Sequence, residues 1–268
     1  VRDNGLGIGK PQLALALSRH ATSKIIASED LWNLHCFGFR GEALASISSV
    51  CRLTLLSNPE GQKQAYKVVS EFGKVSDVEA AGGEKGTTVF IEDLFANVPA
   101  RLKFLKSDAA ESTQIKNVLR ALAIAHPGVS LRVRHKSKLL FFWPAQKNRL
   151  ERVKQVLEQE TMFVGEGECN GLRAHVVLAS PNVTTGNARQ IWMFAQNRWV
   201  QDKTMKAAVM DSYRSLLMHG EYPIVAAWVE TEPENIDVNI HPTKSQVKFR
   251  NSSDAFRAVA RAARSVLE

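Results

Sequence analysis

The chain begins Val1-Arg2-Asp3-Asn4-Gly5-Leu6-Gly7-Ile8-Gly9-Lys10, a carboxylate followed by alternating glycines, and a second glycine-bracketed run comes at Gly38-Phe39-Arg40-Gly41-Glu42-Ala43-Leu44. Closely spaced glycines let the backbone turn tightly and let a ligand approach it, because glycine reaches positive φ at little steric cost. A carboxylate accepts hydrogen bonds, so Asp3 suits the exocyclic amine of adenine and would repel a phosphate. The arginine of the second run can then close over phosphates. Two other phosphate signatures are excluded. Gly9-Lys10 is followed by Pro11 and not by Ser or Thr, which rules out a P-loop. Lys10 also stands where the third glycine of a dinucleotide fingerprint would fall. Between the runs, His20-Ala21-Thr22-Ser23-Lys24 supplies hydroxyls and a cation in the order a triphosphate requires.

The remaining periodicities predict an α+β chain. Residues 11–17 read as a helix with Pro in its first turn, and 42–50 as a helix whose amino end offers N–H groups to an anion. Segments 52–57, 65–69, 87–92 and 130–134 alternate or carry β-branched residues, which predicts strands of one antiparallel-rich sheet with a helix at 112–125 against it. The break at Pro144-Ala145-Gln146 predicts a boundary, giving domains at 1–146 and 147–268. In the second, a helix at 147–159 puts Leu150, Val153 and Leu157 on one face. Strands are expected at 171–179, 190–200 and 224–230, with a helix at 203–218 whose Met205, Val209, Tyr213 and Leu216 form a core stripe. A last helix at 253–267 sets Phe256, Val259, Ala260, Ala263 and Leu267 against a face bearing Arg257, Arg261 and Arg264, which reads as solvated, with DNA contact as the second reading.

Composition narrows the function classes. With 268 residues, 44% hydrophobic and 23% charged, the chain suits two ordinary globular domains. No stretch is apolar for long enough to cross a bilayer, and the expected compartment is the cytoplasm. Cys36, Cys51 and Cys169 have no paired spacing, which argues against a disulfide framework and a zinc site. The seven histidines lack the i,i+4 pairing with glutamate of a helical metal site. The net charge of +8 favours a polyanionic partner as much as simple solubility. Up to residue 146 there are 19 Lys+Arg against 13 Asp+Glu, and beyond it 16 against 14, so the excess is not a tail. Candidates for DNA contact are Arg101, Lys103 and Lys106 near the first domain and Arg198 and Lys203 in the second.

At Gly38–Leu44, Gly86-Thr87-Thr88, Asn97-Val98-Pro99-Ala100-Arg101-Leu102-Lys103-Phe104-Leu105 and Asp237-Val238-Asn239-Ile240-His241-Pro242-Thr243-Lys244, the chain resembles the MutL family of DNA mismatch repair proteins. That family lies in the GHKL ATPase superfamily shared with gyrase-type topoisomerases, heat-shock chaperone ATPases and histidine kinases. The resemblance implies a GHKL-type α/β sandwich followed by a ribosomal-protein-S5-like α/β domain. It further implies ATP and Mg2+ as cofactors. Asp3 and Gly7 match the adenine-recognising pair, with Thr88 supporting the base side. Thr22, Ser23 and Lys24 match the segment near the phosphates, Arg40, Gly41 and Leu44 the lid, and Lys244 the cation from the second domain.

In the family an earlier helix supplies the glutamate that activates water and the asparagine that holds magnesium. Because Val1 begins in what reads as a strand, the chain is expected to be an incomplete ATPase domain that does not hydrolyse ATP alone. The implied whole-protein function is an ATP-dependent switch coupling mismatch recognition to downstream repair. Its partners would be DNA, mismatch-recognition and downstream repair proteins, and a second copy in an ATP-dependent homodimer. The expected setting is bacterial-type cytoplasm, associated with the nucleoid, and no membrane is involved. The alternative is a nucleotide-independent DNA-binding or interaction module with a degenerate pocket. Gln201 departs from the basic residue that some relatives carry near that place.

Overall fold

A computed structural model of the chain describes residues 1–19, 21, 41–237 and 246–268, which pack as two units, 1–111 and 112–268. In the first unit, strict alternation decides which face is buried. β1 (Arg52–Asn58) turns Leu53, Leu55 and Ser57 inward, and β2 (Ala65–Glu71) turns Ala65, Val68 and Ser70 inward. With β3 (Lys74–Val75), β4 (Glu79–Ala81) and β5 (Gly86–Glu92) they form an antiparallel sheet in the order β3-β2-β1-β5, β4 also pairing with β2. α1 (Lys10–Ala16) starts with Pro11 in its first turn, and α2 (Ala43–Ser48) is six residues long. Leu13 and Leu17 share one core with Leu53, Leu55 and Val68, and Ile8, Leu44 and Ile47 pack against it. α3 (Pro99–Lys103) follows the sheet.

Two expectations about this sheet are corrected. The strand expected at 130–134 forms as β6 (Leu131–His135), but it pairs with β7 (Lys138–Trp143) in a separate ribbon of the second unit. A local turn captures it: Lys136 and Ser137 both have positive φ, 47° and 68°, the geometry of a two-residue hairpin turn that matches strand twist. The helix expected at 112–125 is α4 (Asp108–Ala125), lengthened by a turn in which Asp108 and Glu111 favour the helix dipole. Its Ala121, Ala123, Ile124 and Ala125 are buried with Trp143, Val153 and Trp228, within the second unit.

The second unit's sheet runs β12-β11-β14-β9-β8, antiparallel except for the β11/β14 pair. Its strands are β8 (Met162–Cys169), β9 (Leu172–Ala179), β11 (Ile191–Ala195), β12 (Arg198–Val200) and β14 (Val225–Glu230). Short pairs β10 (Thr184–Thr185) with β13 (Tyr222–Pro223), and β15 (Ile236–Asp237) with β16 (Lys248–Phe249), lie outside it. Both faces of the central strands are covered, so these strands read as nearly continuous apolar runs. In β14, Val225, Ala227 and Val229 face α6 (Lys203–Ser212) and α7 (Ser252–Leu267), while Ala226 and Trp228 join the core of α4, α5 (Arg149–Leu157) and the β6–β7 ribbon.

The expected strand at 190–200 is two strands, because Gln196 and Asn197 both adopt positive φ, 50° and 61°, and turn the chain. The helix expected to reach 218 stops at Ser212. After Tyr213 the bonds tighten to Arg214 N–H→Asp211 O and Leu216 N–H→Tyr213 O, leaving Leu216 44% exposed. Met205, Val209 and Tyr213 are buried as the stripe requires. Arg264 pairs with Asp211 at 2.8 Å, and Arg261 donates to the Glu168 carbonyl.

β8 has no counterpart in the sequence reading, since its glycines and glutamates hide it. Those glycines allow close contact with α7. A Cβ on Gly165 would overlap the Ala262 carbonyl oxygen, and one on Gly167 would sit 2.5 Å from the Ala258 oxygen. Gly165→Ala should therefore destabilise the unit by roughly 2–3 kcal/mol through overpacking, read as a lower denaturant midpoint. His175, on β9, packs edge-on to Trp228 at 5.6 Å, and burial, then the Arg149 charge, hold its pKa below 6.5. A histidine kept neutral by folding stabilises fully above its unfolded pKa, and that contribution is lost as pH falls through the folded one. Stability should drop on acidification below about 6.5, and His175→Gln should flatten that part of a pH–stability profile.

Candidate nucleotide site

The amino-terminal segment lies along β5: Arg2 bridges Thr88, and the Val89 N–H donates to the Val1 carbonyl at 2.7 Å. This places Asp3 beside Thr87. The Asp3 N–H donates to the Thr87 carbonyl at 2.9 Å, and Asp3 Oδ1 accepts from the Thr87 N–H at 3.1 Å and the Gly5 N–H at 2.9 Å. One carboxylate oxygen is therefore fixed by two backbone amides. The other accepts no hydrogen bond from a described residue, and the Asp3 side chain is exposed.

Beneath it lies a buried hydroxyl pair. Ser57 Oγ donates to the Gly86 carbonyl at 3.0 Å, accepts from the Ile8 N–H at 2.8 Å and lies 3.0 Å from Thr87 Oγ1. With its single proton on the Gly86 carbonyl, Ser57 can only accept from Thr87. Register explains the pairing, since Ser57 stands opposite Thr87 across β1 and β5, and opposite residues share a face.

Two glycines make this approach possible. Gly7 has φ +77°, and a Cβ there would sit 2.6 Å from the Asn58 carbonyl oxygen; Gly86 has φ +107°, and its Cβ would overlap the Asp3 carbonyl. Gly7→Ala should cost roughly 1–3 kcal/mol and push the 5–9 turn away from β1, measurable as a lower Tm with weakened nucleotide protection.

Of the expected site residues, the structure brings Asp3 and Gly7 together with the 86–88 segment. Thr87 meets Asp3 through its backbone N–H and turns its hydroxyl to Ser57, and Thr88 bridges Arg2. Ser57 was not anticipated, because it opens a turn-rich stretch that reads as a connection. Period-two alternation from Gly86 is the signal that separates Thr87 from Thr88. Gly41 has φ +64° and abuts the Ala21 carbonyl, and Leu44 packs on the core to which Ile8 also contributes. Thr22, Ser23, Lys24, Arg40 and Lys244 lie outside the described residues. Arg101 is exposed with its guanidinium 5.9 Å above the Phe95 ring, and Lys203 is exposed at the start of α6. Arg198 is half-buried, and burial lowers its pKa.

A carboxylate oxygen left without a described donor, on an exposed side chain beside a buried hydroxyl pair, fits an adenine amine, so these residues suit the adenine end of ATP. For magnesium, the described residues bring no three His, Cys, Asp or Glu together. No described helix is long and apolar enough to cross a membrane.

Residues 153–268 match the family model described as DNA mismatch repair protein, C-terminal domain. The DNA mismatch repair protein MutL of Cellvibrio japonicus is 39% identical over 94% of this chain and 41% of its own length. That of Syntrophotalea carbinolica is 36% identical over 100% of this chain and 43% of its own length. The chain thus spans about two fifths of these curated relatives. Among solved structures, the Aquifex aeolicus MutL ATPase domain complexed with ADP superposes with a TM-score of 0.63 at 23% identity, covering 87% of this chain and 79% of that one. The 43K ATPase domain of Thermus thermophilus gyrase B gives 0.52 at 16% identity, covering 99% and 73%. The architecture is therefore the α+β, GHKL-type fold of these neighbours. By sequence along nearly its whole length and by fold, the chain belongs to the MutL family of DNA mismatch repair proteins.

Proposed function

We propose that this chain is the ATP-binding part of a MutL-type mismatch repair switch. Asp3 would take the adenine amine on its second oxygen, and Thr87, together with Ser57, would set the floor beneath the base. Thr22, Ser23, Lys24, Arg40, Gly41 and Leu44 would serve the phosphate side, and Lys244 would add a cation from the carboxyl-terminal half. A functional partition at 146/147 belongs to the same reading. The observation that carries it is the Asp3 carboxylate, held by the Gly5 and Thr87 amides with one oxygen left for a ligand.

ATP itself would supply the γ-phosphate, and Mg2+ would neutralise phosphate charge. A lysine touching the γ-phosphate would give one arrangement of the protein higher affinity for triphosphate than for diphosphate. Only such a difference lets a nucleotide shift a conformational equilibrium. In the whole protein this shift would drive dimerisation and couple mismatch recognition, on DNA, to the repair proteins that follow. Titration of the chain with ATP, ADP and GTP in the presence of magnesium, followed by calorimetry, tests the pocket. Saturable binding of ATP and ADP but not GTP is expected. The absence of adenine-nucleotide binding, with DNA binding unaffected by nucleotide, would replace this reading by a nucleotide-independent module.

A further inference from the structure

Charge along this chain is segregated more sharply than a division at residue 146 reveals. Residues 112–150 contain eight Lys and Arg and no Asp or Glu, and the rest of the chain has 27 of each, so the whole formal +8 lies in that stretch. The fold places six of the eight on α4 and the β6–β7 ribbon, while Lys147 precedes α5 and Arg149, on α5, pairs with Glu230. Along the ribbon Leu131, Val133, Phe141 and Trp143 turn into the core. Arg132 and Arg134 take the alternate positions on the exposed face, with Lys136 at the turn and Lys138 beginning the return strand.

Aromatic rings fix two of the cations. The Arg132 guanidinium sits 4.9 Å above the exposed Phe142 ring opposite it, and that of Arg120, from α4, sits 5.2 Å above Phe141. Lys116, Arg120, Arg132, Arg134, Lys136 and Lys138 form no ion pair with a described carboxylate, whereas Arg2, Arg52, Lys67 and Lys85 in the first unit each do. Six unneutralised cations on a rigid frame lack an anionic counterpart within their own unit. Arg132 and Arg134 are two strand residues apart, roughly 6.7 Å, on one face of the ribbon.

We propose that the outward face of the β6–β7 ribbon, carrying Arg132, Arg134, Lys136 and Lys138, is a sequence-independent binding surface for the DNA phosphate backbone. This rests on the DNA partner in the functional reading above and is independent of the nucleotide pocket. Arg132, fixed on Phe142, and Arg134 on the same face suit neighbouring phosphates, with Phe142 placed to contact sugar or base. The exposed Leu139 and Leu140 make an anionic bilayer the competing occupant.

The test is fluorescence anisotropy of a labelled duplex across a salt series. The intact chain is compared with a variant carrying Arg132→Gln, Arg134→Gln, Lys136→Gln and Lys138→Gln. A second variant carries Arg52→Gln and Lys67→Gln, and a third Arg101→Gln and Lys203→Gln. The ribbon variant should lose more than about 100-fold in affinity near 0.1 M salt, with its log–log salt slope shallower by about 3–4, since each lost phosphate contact removes about 0.9. The other two should keep the parent's slope to within about 0.5, less than the loss of one contact would remove, which also decides against Arg101 and Lys203 as contacts. An unchanged slope in the ribbon variant, an equal loss in all three, or no duplex binding by the parent at low salt would overturn the proposal. Retained duplex binding with lost binding to phosphatidylserine vesicles would overturn it in favour of a membrane surface. Thermal melting checks the ribbon variant's fold. ATP titration of the same variant should be unchanged, so failure of the nucleotide reading and failure of this one are distinguished.

Discussion

Asp3→Asn should weaken ATP binding by about 100-fold or more, some 2.7 kcal/mol, with little change in Tm. The asparagine carbonyl can keep the bonds from the Gly5 and Thr87 amides, so the local backbone stays in place. Its amide nitrogen then stands where the carboxylate had presented an acceptor. A donor opposes the donor of the adenine amine, and a hydrogen bond to a charged acceptor, worth about 1.5–3 kcal/mol, is replaced by an unpaired group. Asp3→Ala would test less, since it also frees both amides. Isothermal titration with ATP gives the affinity and differential scanning fluorimetry the stability. Equal loss of both would mean that Asp3 holds the turn and does not meet the base.

Arg152→Met should destabilise the second unit by roughly 3 kcal/mol, because one buried and two part-buried carbonyl groups lose their donor, at about 1–3 kcal/mol for a fully buried one and less for the others. Arg152, on α5, is fully buried and faces no carboxylate. Its guanidinium donates to the carbonyls of Pro127 at 2.7 Å, Val129 at 2.5 Å and Trp143 at 3.3 Å, and to Gln155 Oε1 at 3.0 Å. It thus pins the turn after α4 and the end of β7 to α5. Burial pulls its pKa down from the usual arginine value, yet an arginine remains protonated because that value starts so high. Methionine fills the volume and offers no donor, so the loss isolates the hydrogen bonding from the packing. Urea unfolding should show the midpoint falling with an unchanged m-value, and the β6–β7 ribbon should lose amide-exchange protection first. Stability within about 0.5 kcal/mol of the parent, the size of an ordinary surface change, would mean that water replaces the guanidinium.

Much of the fold is legible in the sequence where a single period dominates. α7 and the Val153–Leu157 stripe follow from helical spacing, and β1, β2 and β5 follow from alternation. Legibility fails where tertiary contact overrides local signal. β8 carries glycines because α7 presses against it, a reason invisible before the two are placed together. The 190–200 run looks like one strand because nothing in Gln196-Asn197 alone announces two positive-φ residues. The β6 strand looks like a member of the first sheet until its hairpin partner and shared core are known.

The site divides in the same way. The close approach of the Asp3–Gly7 turn to neighbouring backbone is readable, because alternating glycines have few other uses. Ser57 and Thr87 are not, because a hydroxyl's role depends on which residue faces it across a sheet. The choice between Thr87 and Thr88 is a one-residue question of register, and a shift of one residue reverses the face.

The most direct test of an adenine site at Asp3 is the amide spectrum of 15N-labelled protein titrated with ATP and, separately, with GTP. Saturable shifts at the Gly5 and Thr87 amides with ATP, absent with GTP and absent for Asp3→Asn with either, are the expected result. Equal shifts with the two nucleotides, or ATP binding that leaves both amides unmoved, would contradict it.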